Sequence, residues 1–395
     1  MSDLIPGPEG KLSDDLFGLP EYEALPPVQR PFLPWHRPRK QYVRSEQWAI
    51  QIGKLFDDLG TDSGMLRYLG LPGIDLLDLR YFHSQLCLRR NLDLLFLGFN
   101  TEAQDGSPAQ VELNISLDEV KKLPRVSPRS LIVNFDIATL ANENSLGFKH
   151  AKTLGPFDVV NLDLCDGFGS ASPGSLGDNQ YNALGQLLSL QFRNKNPWLL
   201  LLTTRVGCDH VHKNFLDRIV QKYLDNLANC AEFQTTSQSE LQIGDARSLG
   251  AAIQAADTLL PVILAGLCKW VVGLAINNSP PSEVEVKSVI GYKVDHESPC
   301  EDLISLAIRF TPKMTSVADP MNVIRPAANL PNECKLSTQA LKRIIKRKDA
   351  DAMLLGDAEL RKDMTNGMAD LLSIARYDRT SFITWVQATE GWELS

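Results

Sequence analysis

The sequence predicts an α/β fold: a mostly parallel, Rossmann-like sheet with an antiparallel C-terminal hairpin, an N-terminal Pro-rich arm and a helical C-terminal extension. Three observations predict it. Five short apolar runs lack the polar alternation of half-exposed strands, as expected of parallel strands buried on both faces. Segments of helical period fall between or after them, the alternation that builds such a sheet. Two late apolar runs are separated by a short polar stretch and read as an antiparallel pair. The 395 residues, 44% hydrophobic and 22% charged, have the composition of a globular protein with room for more than one domain. The expected division is an arm at 1–45, an α/β domain at 46–330 and a helical extension at 331–395.

In the arm, Pro6, Pro8, Pro20, Pro26, Pro27, Pro31, Pro34 and Pro38 forbid a helix of any length and favour extended chain. Phe32, Trp35 and Tyr42 are too large for a free tail, so part of the arm is expected to pack on the body. Ser45 is expected to cap a helix with an apolar face of Trp48, Ile52, Leu55 and Phe56 that ends near Gly60. Strands are expected at 74–79, 92–99, 130–135, 157–162 and 198–203, with helices at 182–192 and 212–227. The apolar stretch 259–276 contains Pro261 and Lys269 and is expected to be a buried helix, with no membrane contact. The hairpin is expected at 286–294 and 303–310. Beyond Ser337 the pattern is helical: Leu341, Ile344 and Ile345 share a face, a second amphipathic stretch follows at 364–375, and Trp385 and Trp392 anchor the tail.

The order and spacing of these elements resemble the class I S-adenosylmethionine-dependent methyltransferases over about residues 65–313. GIDLLDLRYF at 73–82 stands where that family has its first strand and cofactor loop, and LDLLFLGFNTE at 92–102 at the second strand. LIVNFDIATL at 131–140 is similar to the third, GPFDVVNLDLCDGFG at 155–169 to the fourth with its motif, and NPWLLLLTTR at 196–205 to the fifth. The resemblance implies S-adenosylmethionine as cofactor and no metal. It places Asp78, Arg80, Asn100, Asp136 and Ile137 at the cofactor and Asp163 and Asp166 at the substrate. In an open α/β sheet, acids at carboxyl strand ends can bond ribose hydroxyls, an adenine amine or a substrate proton. The stretch matched to the Gly-rich loop, Arg80 to Gln85, has no glycine, and Tyr81 and Phe82 are large enough to fill a pocket. The fourth-strand motif, Asn161 to Phe168, lacks the proline of amino-directed enzymes. Two functions are therefore expected. The first is a methyltransferase-fold protein with lost or altered cofactor use, serving as a binding or scaffolding subunit of a bacterial complex. The alternative is an active methyltransferase acting on nucleic acid. The sequence also resembles accessory proteins of bacterial mobile elements and defence loci, which implies an antiviral setting.

Simpler roles compete at each position. Asp136 can cap a helix at 137–141, and Asp166-Gly167 can be a turn. The loop 166–180, with Gly167, Gly169, Gly174 and Gly177, reads as a connector or a lid and lacks the GK[ST] of a phosphate loop. Cys208, His210 and His212 alternate as metal ligands could on an extended segment, but no fourth ligand follows.

The seven cysteines are odd in number, with no CxxC, and point to reduced thiols and a cytoplasmic protein. The net charge of −8 hides a pattern: 29–44 carries five Lys/Arg and 335–348 six, neither with an acid, leaving −19 on the rest. Arg37, Arg39 and Lys40, interleaved with aromatics, suit nucleic-acid or partner contact, or a strap on the acidic body. Lys342, Arg343, Lys346 and Arg347 form a basic helix suited to nucleic acid or an acidic protein partner, or a solvated face.

Overall fold

The structure, a computed structural model, describes residues 27–392 apart from 29, 61–63, 105, 165, 171–178, 207–209, 295–297, 299 and 314–330. Most of the Pro-rich arm, Gly174, Gly177 and Cys208 lie outside the described residues.

A 3-10 turn at Pro34–His36 leads into α1 (Pro38–Val43), which continues without a break through the π-helical segment Arg44–Ala49 into α2 (Ile50–Leu59). Pro38 occupies the first helical position, where its missing N–H costs nothing, so the prolines permit the helix that their spacing argued against. Ser45 is not a cap; its hydroxyl donates back to the Tyr42 carbonyl at 3.3 Å, and the expected 45/46 boundary falls inside one helix. The helix ends at Gly60, in the left-handed region at φ +64°.

The first strand is β1 (Gly64–Gly70), not 74–79, which holds a turn and the start of α3 (Leu77–Phe82). A six-residue run such as Ile74 to Leu79 has no period long enough to separate strand from helix. The remaining elements follow the expected order: β2 (Leu92–Phe99), α4 (Pro108–Lys122), β3 (Leu131–Val133), α5 (Leu146–Leu154), β4 (Val159–Asp163), α6 (Gln180–Gln191), β5 (Trp198–Arg205), α7 (Lys213–Asn229), α8 (Ala231–Leu241), α9 (Ala246–Ala252), α10 (Ala256–Ile276), β6 (Ser282–Tyr292), β7 (Leu303–Pro312), α11 (Glu333–Ile345), β8 (Lys348–Asp349), α12 (Ala350–Gly356), α13 (Ala358–Ile374) and α14 (Arg379–Glu390).

The strands form one sheet in the order β3-β2-β1-β4-β5-β7-β6-β8. The first five are parallel, β7 is antiparallel to both its neighbours, and β8 adds a short parallel edge beside β6. This is the mostly parallel α/β sheet with a closing antiparallel hairpin that the sequence predicts. The chain steps outward from β1 to β3 and then returns past β1 to β4, so the winding reverses between β1 and β4.

Both faces are covered. On one, α5 to α8, α10 and α11 pack on residues such as Leu97, Val160, Leu200 and Ile308. On the other, α1, α2, α3 and α4 cover Leu66, Tyr68, Phe96 and Leu199. Helix α10 is long and apolar enough to cross a membrane by composition, but 72% of its apolar window is buried in the body. Cys230 and Cys334 form a disulfide across 104 residues, where the cysteine count pointed to free thiols; α8 and α11 pack together and bring the pair into reach. The C-terminal helices α13 and α14 build a third cluster around Met368, Leu372 and Phe382. Phe32 of the strap wedges into it, its ring 5.3 Å from Phe382 and 5.4 Å from Trp385. Trp392 lies under the Arg361 guanidinium, so both C-terminal tryptophans are packed as expected.

Asp158 joins three strands at their amino ends. Its carboxylate accepts from the Arg67 amide at 2.8 Å, and its own carbonyl accepts from Leu199. Burial pushes its pKa up to about 6 from 3.8. A raised carboxyl pKa means that the folded chain holds the proton more tightly, so stability is lost as pH rises from 3.8 through 6, by up to about 3 kcal/mol. Asp158→Asn keeps the acceptor and removes the charge. It should be the more stable protein above pH 6 and lose that advantage below pH 4, measured by urea unfolding across the range.

Candidate active site at the switch point

Ligands in open α/β sheets bind beyond the carboxyl strand ends where the winding reverses. A cavity of about 260 Å³ lies there, near the lower bound for small-molecule sites. It is lined from the ends of four strands: Leu71 to Gly73 and Asp75 to Asp78 after β1, Phe99 to Glu102 after β2, Phe135 to Ile137 after β3, and Asp163, Leu164 and Asp166 after β4. Trp35 of the strap and Arg44 complete the wall.

The loop after β1 is drawn tight against β2. Asn100 donates to the Pro72 carbonyl at 3.0 Å and accepts from the Ala103 amide at 2.9 Å. A Cβ on Gly98 would run into Pro72 and Ile132, so only glycine lets the loop lie this close. Leu76, fully buried, takes φ +52°, a left-handed conformation that costs about 1–2 kcal/mol without glycine. Strap and tail hold the loop in place. Asp75 pairs with Arg30, accepts from the Tyr377 hydroxyl at 3.0 Å and lies 3.8 Å from the His36 ring. Burial raises the Asp75 pKa, and Arg30 and Tyr377 oppose the rise. Burial, with Arg44 and Arg30 nearby, lowers His36 to about 3, so its ring is neutral.

Six carboxylates line the cavity against one arginine. Three are paired: Asp75 with Arg30, Asp78 with Arg44 at 2.6 Å, and Asp163 with Lys40. Lys40 also lies over the Trp48 ring at 4.6 Å. Burial works against the Lys40 charge, but Asp163, Tyr292 and Asp78 outweigh it and raise the pKa. Glu102 and Asp136 are exposed and make no ion pair among the described residues. Asp166, also exposed, faces His210 at 3.5 Å.

A family profile described as PP_RS20740-like matches residues 29–387. The chain belongs to the PP_RS20740-like family. The match takes in the strap and most of the C-terminal helices as well as the sheet, so in this PP_RS20740-like protein the parts that hold the loop lie within the matched length. No curated protein matches. Among solved structures the chain is similar to a Listeria monocytogenes protein assigned as a class I S-adenosylmethionine-dependent methyltransferase, at 11% identity and a TM-score of 0.36, over 80% of this chain and 73% of that one.

The PP_RS20740-like site brings together most of the predicted residues but redistributes their roles. Asp78, Asn100, Asp136, Ile137, Asp163 and Asp166 all line the cavity. Asn100 and Asp78 are engaged within the protein, one by loop backbone and one by Arg44. Asp136 caps the 3-10 turn Ile137–Ala141, accepting from Ala138 at 2.7 Å, and still faces the cleft. Arg80 is corrected: it lies in α3, buried, bound to Glu119 and the Asp75 carbonyl, and does not line the cleft. The glycine-free stretch matched to the cofactor loop is helical, and Phe82 is buried under the sheet beside Tyr68, away from the cleft. The segment that leads out of β1 is Gly70-Leu71-Pro72-Gly73, and its last three residues line the cavity.

The strap's basic residues are paired within the protein, whereas those of α11 are mostly exposed. Arg39 and Lys40 are buried, and Arg37 is partly so. Arg39 pairs with Asp351 and Glu390, both at 2.8 Å, Arg37 with Glu390, and Lys40 with Asp163. These cations turn inward, and the strap alternative is the one observed. On α11, Lys342 meets Glu232, and Arg347 forks onto Glu301 at 2.9 and 3.1 Å; Arg343 and Lys346 are exposed. Among the described residues no group of three His, Cys, Asp or Glu side chains is placed to hold a metal. His210 accepts through Nε2 from the Arg205 guanidinium at 2.9 Å, and His212 caps α7. The residues missed in the sequence are Trp35, Arg44, Asp75 and Glu102; Asp75 was hidden inside a run read as strand.

Proposed function

We propose that the protein binds S-adenosylmethionine in the switch-point cleft and is a methyltransferase. The observation that carries this reading is the excess of carboxylates at four strand ends, with Glu102 and Asp136 facing the cleft unpaired. A ligand with ribose hydroxyls and a cationic centre suits that surface. Glu102 would accept from the ribose, Phe135 and Ile137 would flank the adenine, and the loop Leu71 to Gly73 would meet the amino-acid end. The cofactor, when bound, supplies an electrophilic methyl group. The chain's own work is positioning: Asn100 and Asp75 fix the loop, Trp35 limits water, and Lys40 holds Asp163 where an acceptor would lie. The scaffolding reading rests on the glycine-free stretch, which is helical and lies outside the cleft lining.

Calorimetric titration with S-adenosylmethionine and S-adenosylhomocysteine tests this. Both should bind in the micromolar range. Glu102→Gln should weaken them about tenfold or more, the worth of a hydrogen bond to a charged group, without changing the unfolding midpoint. Asp136→Ala should weaken binding and also cost the cap, about 0.5–2 kcal/mol. No heat from either ligand would sink the reading.

A further inference from the structure

A second cavity, of about 140 Å³, opens beside the first. Trp35, Asp163 and Leu164 line both, so the two communicate at the end of β4. Its other walls come from the strap, with Pro34, Arg37, Arg39 and Lys40, and from the hairpin, with Tyr292, Lys293, Val294 and Leu303. The character changes across Asp163: the first chamber carries six acids and one cation, the second four cations and only the shared acid. The walls between the cations are apolar. An apolar cavity of about 150 Å³ holds a benzene-sized molecule, so the second chamber admits one ring or a branched chain and no polymer.

One guanidinium on the strap side is only partly satisfied. The Arg39 side chain is 6% exposed; one terminal nitrogen donates to Glu390 at 2.8 Å and Nε lies 2.8 Å from Asp351, but Nε and Nη1 are among the buried polar atoms without a hydrogen-bond partner among the described residues. A buried guanidinium nitrogen left unsatisfied costs about 1–3 kcal/mol, which an incoming carboxylate would recover as a charge-assisted bond.

We propose that this chamber is the acceptor subsite and takes a small anionic molecule with an apolar body, such as an aromatic carboxylate, its carboxylate on Arg39 and its ring between Leu164, Val294 and Leu303. This deepens, and rests on, the reading of the first chamber as the cofactor cleft. It also sets the acceptor's size: the docked strap leaves room for a small molecule and none for a duplex or a strand.

The test is titration of the full chain with benzoate and with benzamide, its neutral isostere, alongside S-adenosylhomocysteine. Benzoate should bind at least about tenfold tighter than benzamide, because only the anion gains the charge-assisted bond. Val294→Trp, which fills the chamber from a half-buried position, should abolish benzoate binding and leave S-adenosylhomocysteine binding unchanged. Lys293→Met should weaken benzoate without blocking the ring, and serves if the tryptophan variant does not fold. Equal affinity for the two isosteres, undiminished benzoate binding in Val294→Trp, or displacement of benzoate by a single-stranded oligonucleotide would overturn the proposal. S-adenosylhomocysteine binding without benzoate binding would overturn this inference alone, whereas silence from all ligands would overturn the cofactor reading with it.

Discussion

Acidification should release the N-terminal strap before the sheet melts. His36 is fully buried, edge-on to Phe32 and Tyr377, with Nδ1 accepting from the Leu33 amide at 3.2 Å. Its pKa is held down to about 3 against 6.5 in open chain, by burial first and then by Arg44 and Arg30. A released strap therefore takes up a proton below pH 6.5, and a docked one only near pH 3. Stability of the docked state is whole above pH 6.5 and falls as pH drops through that window, by about 5 kcal/mol at its lower end. Hydrogen-exchange protection factors of residues 33–43, each referred to the intrinsic rate at that pH, should fall below pH 6.5 while those of β4 and β5 hold. His36→Phe fits the aromatic cage and cannot be protonated, so its strap should remain docked through the same range. Identical acid profiles for the two proteins would refute the assignment.

The second large effect belongs to Asp78. Its carboxylate and the Arg44 guanidinium are both buried at the floor of the cleft, and Arg44 also reaches the Met368 sulfur at 3.4 Å. Removing one partner of such a pair strands the other charge, at a cost of about 3–5 kcal/mol. Asp78→Ala should lower the free energy of unfolding by that amount and, on the proposed function, abolish S-adenosylmethionine binding as the strap and α13 lose their shared anchor. Replacing the pair together, Asp78→Leu with Arg44→Met, should restore most of the stability, since two apolar side chains carry no desolvation penalty. A single variant as stable as the parent would show that Arg44 finds another partner.

How far the sequence could be read follows from where its signals were local. β2 and β5 announced themselves as unbroken apolar runs, and the hairpin as two runs around a polar turn. β1 did not, because Arg67 and Tyr68 interrupt it: Arg67 donates to the Leu154 carbonyl, and Tyr68 turns its hydroxyl to Asn161. The neighbouring run at 74–79 looked more like a strand than the strand itself. That slip placed the expected loop beyond the segment Gly70 to Gly73 that leads out of β1. At the site, the strand-end acids were legible because their places follow from strand order. The strap's cations were not, since their partners, Asp163, Asp351 and Glu390, lie 123 to 351 residues away and no local pattern marks them.

The strap also gives the site a timetable. Arg39 leaves a ribosome 351 residues ahead of its partner Glu390. At about 5–20 residues per second that interval is roughly 20–70 s, during which the switch-point loop has neither Tyr377 nor α14 to hold it. The sheet can form in that time, but the cleft over it cannot. A nascent chain halted within α13 would carry all eight strands of the sheet but neither Tyr377 nor α14, so these supports of the loop arrive only after the sheet is complete.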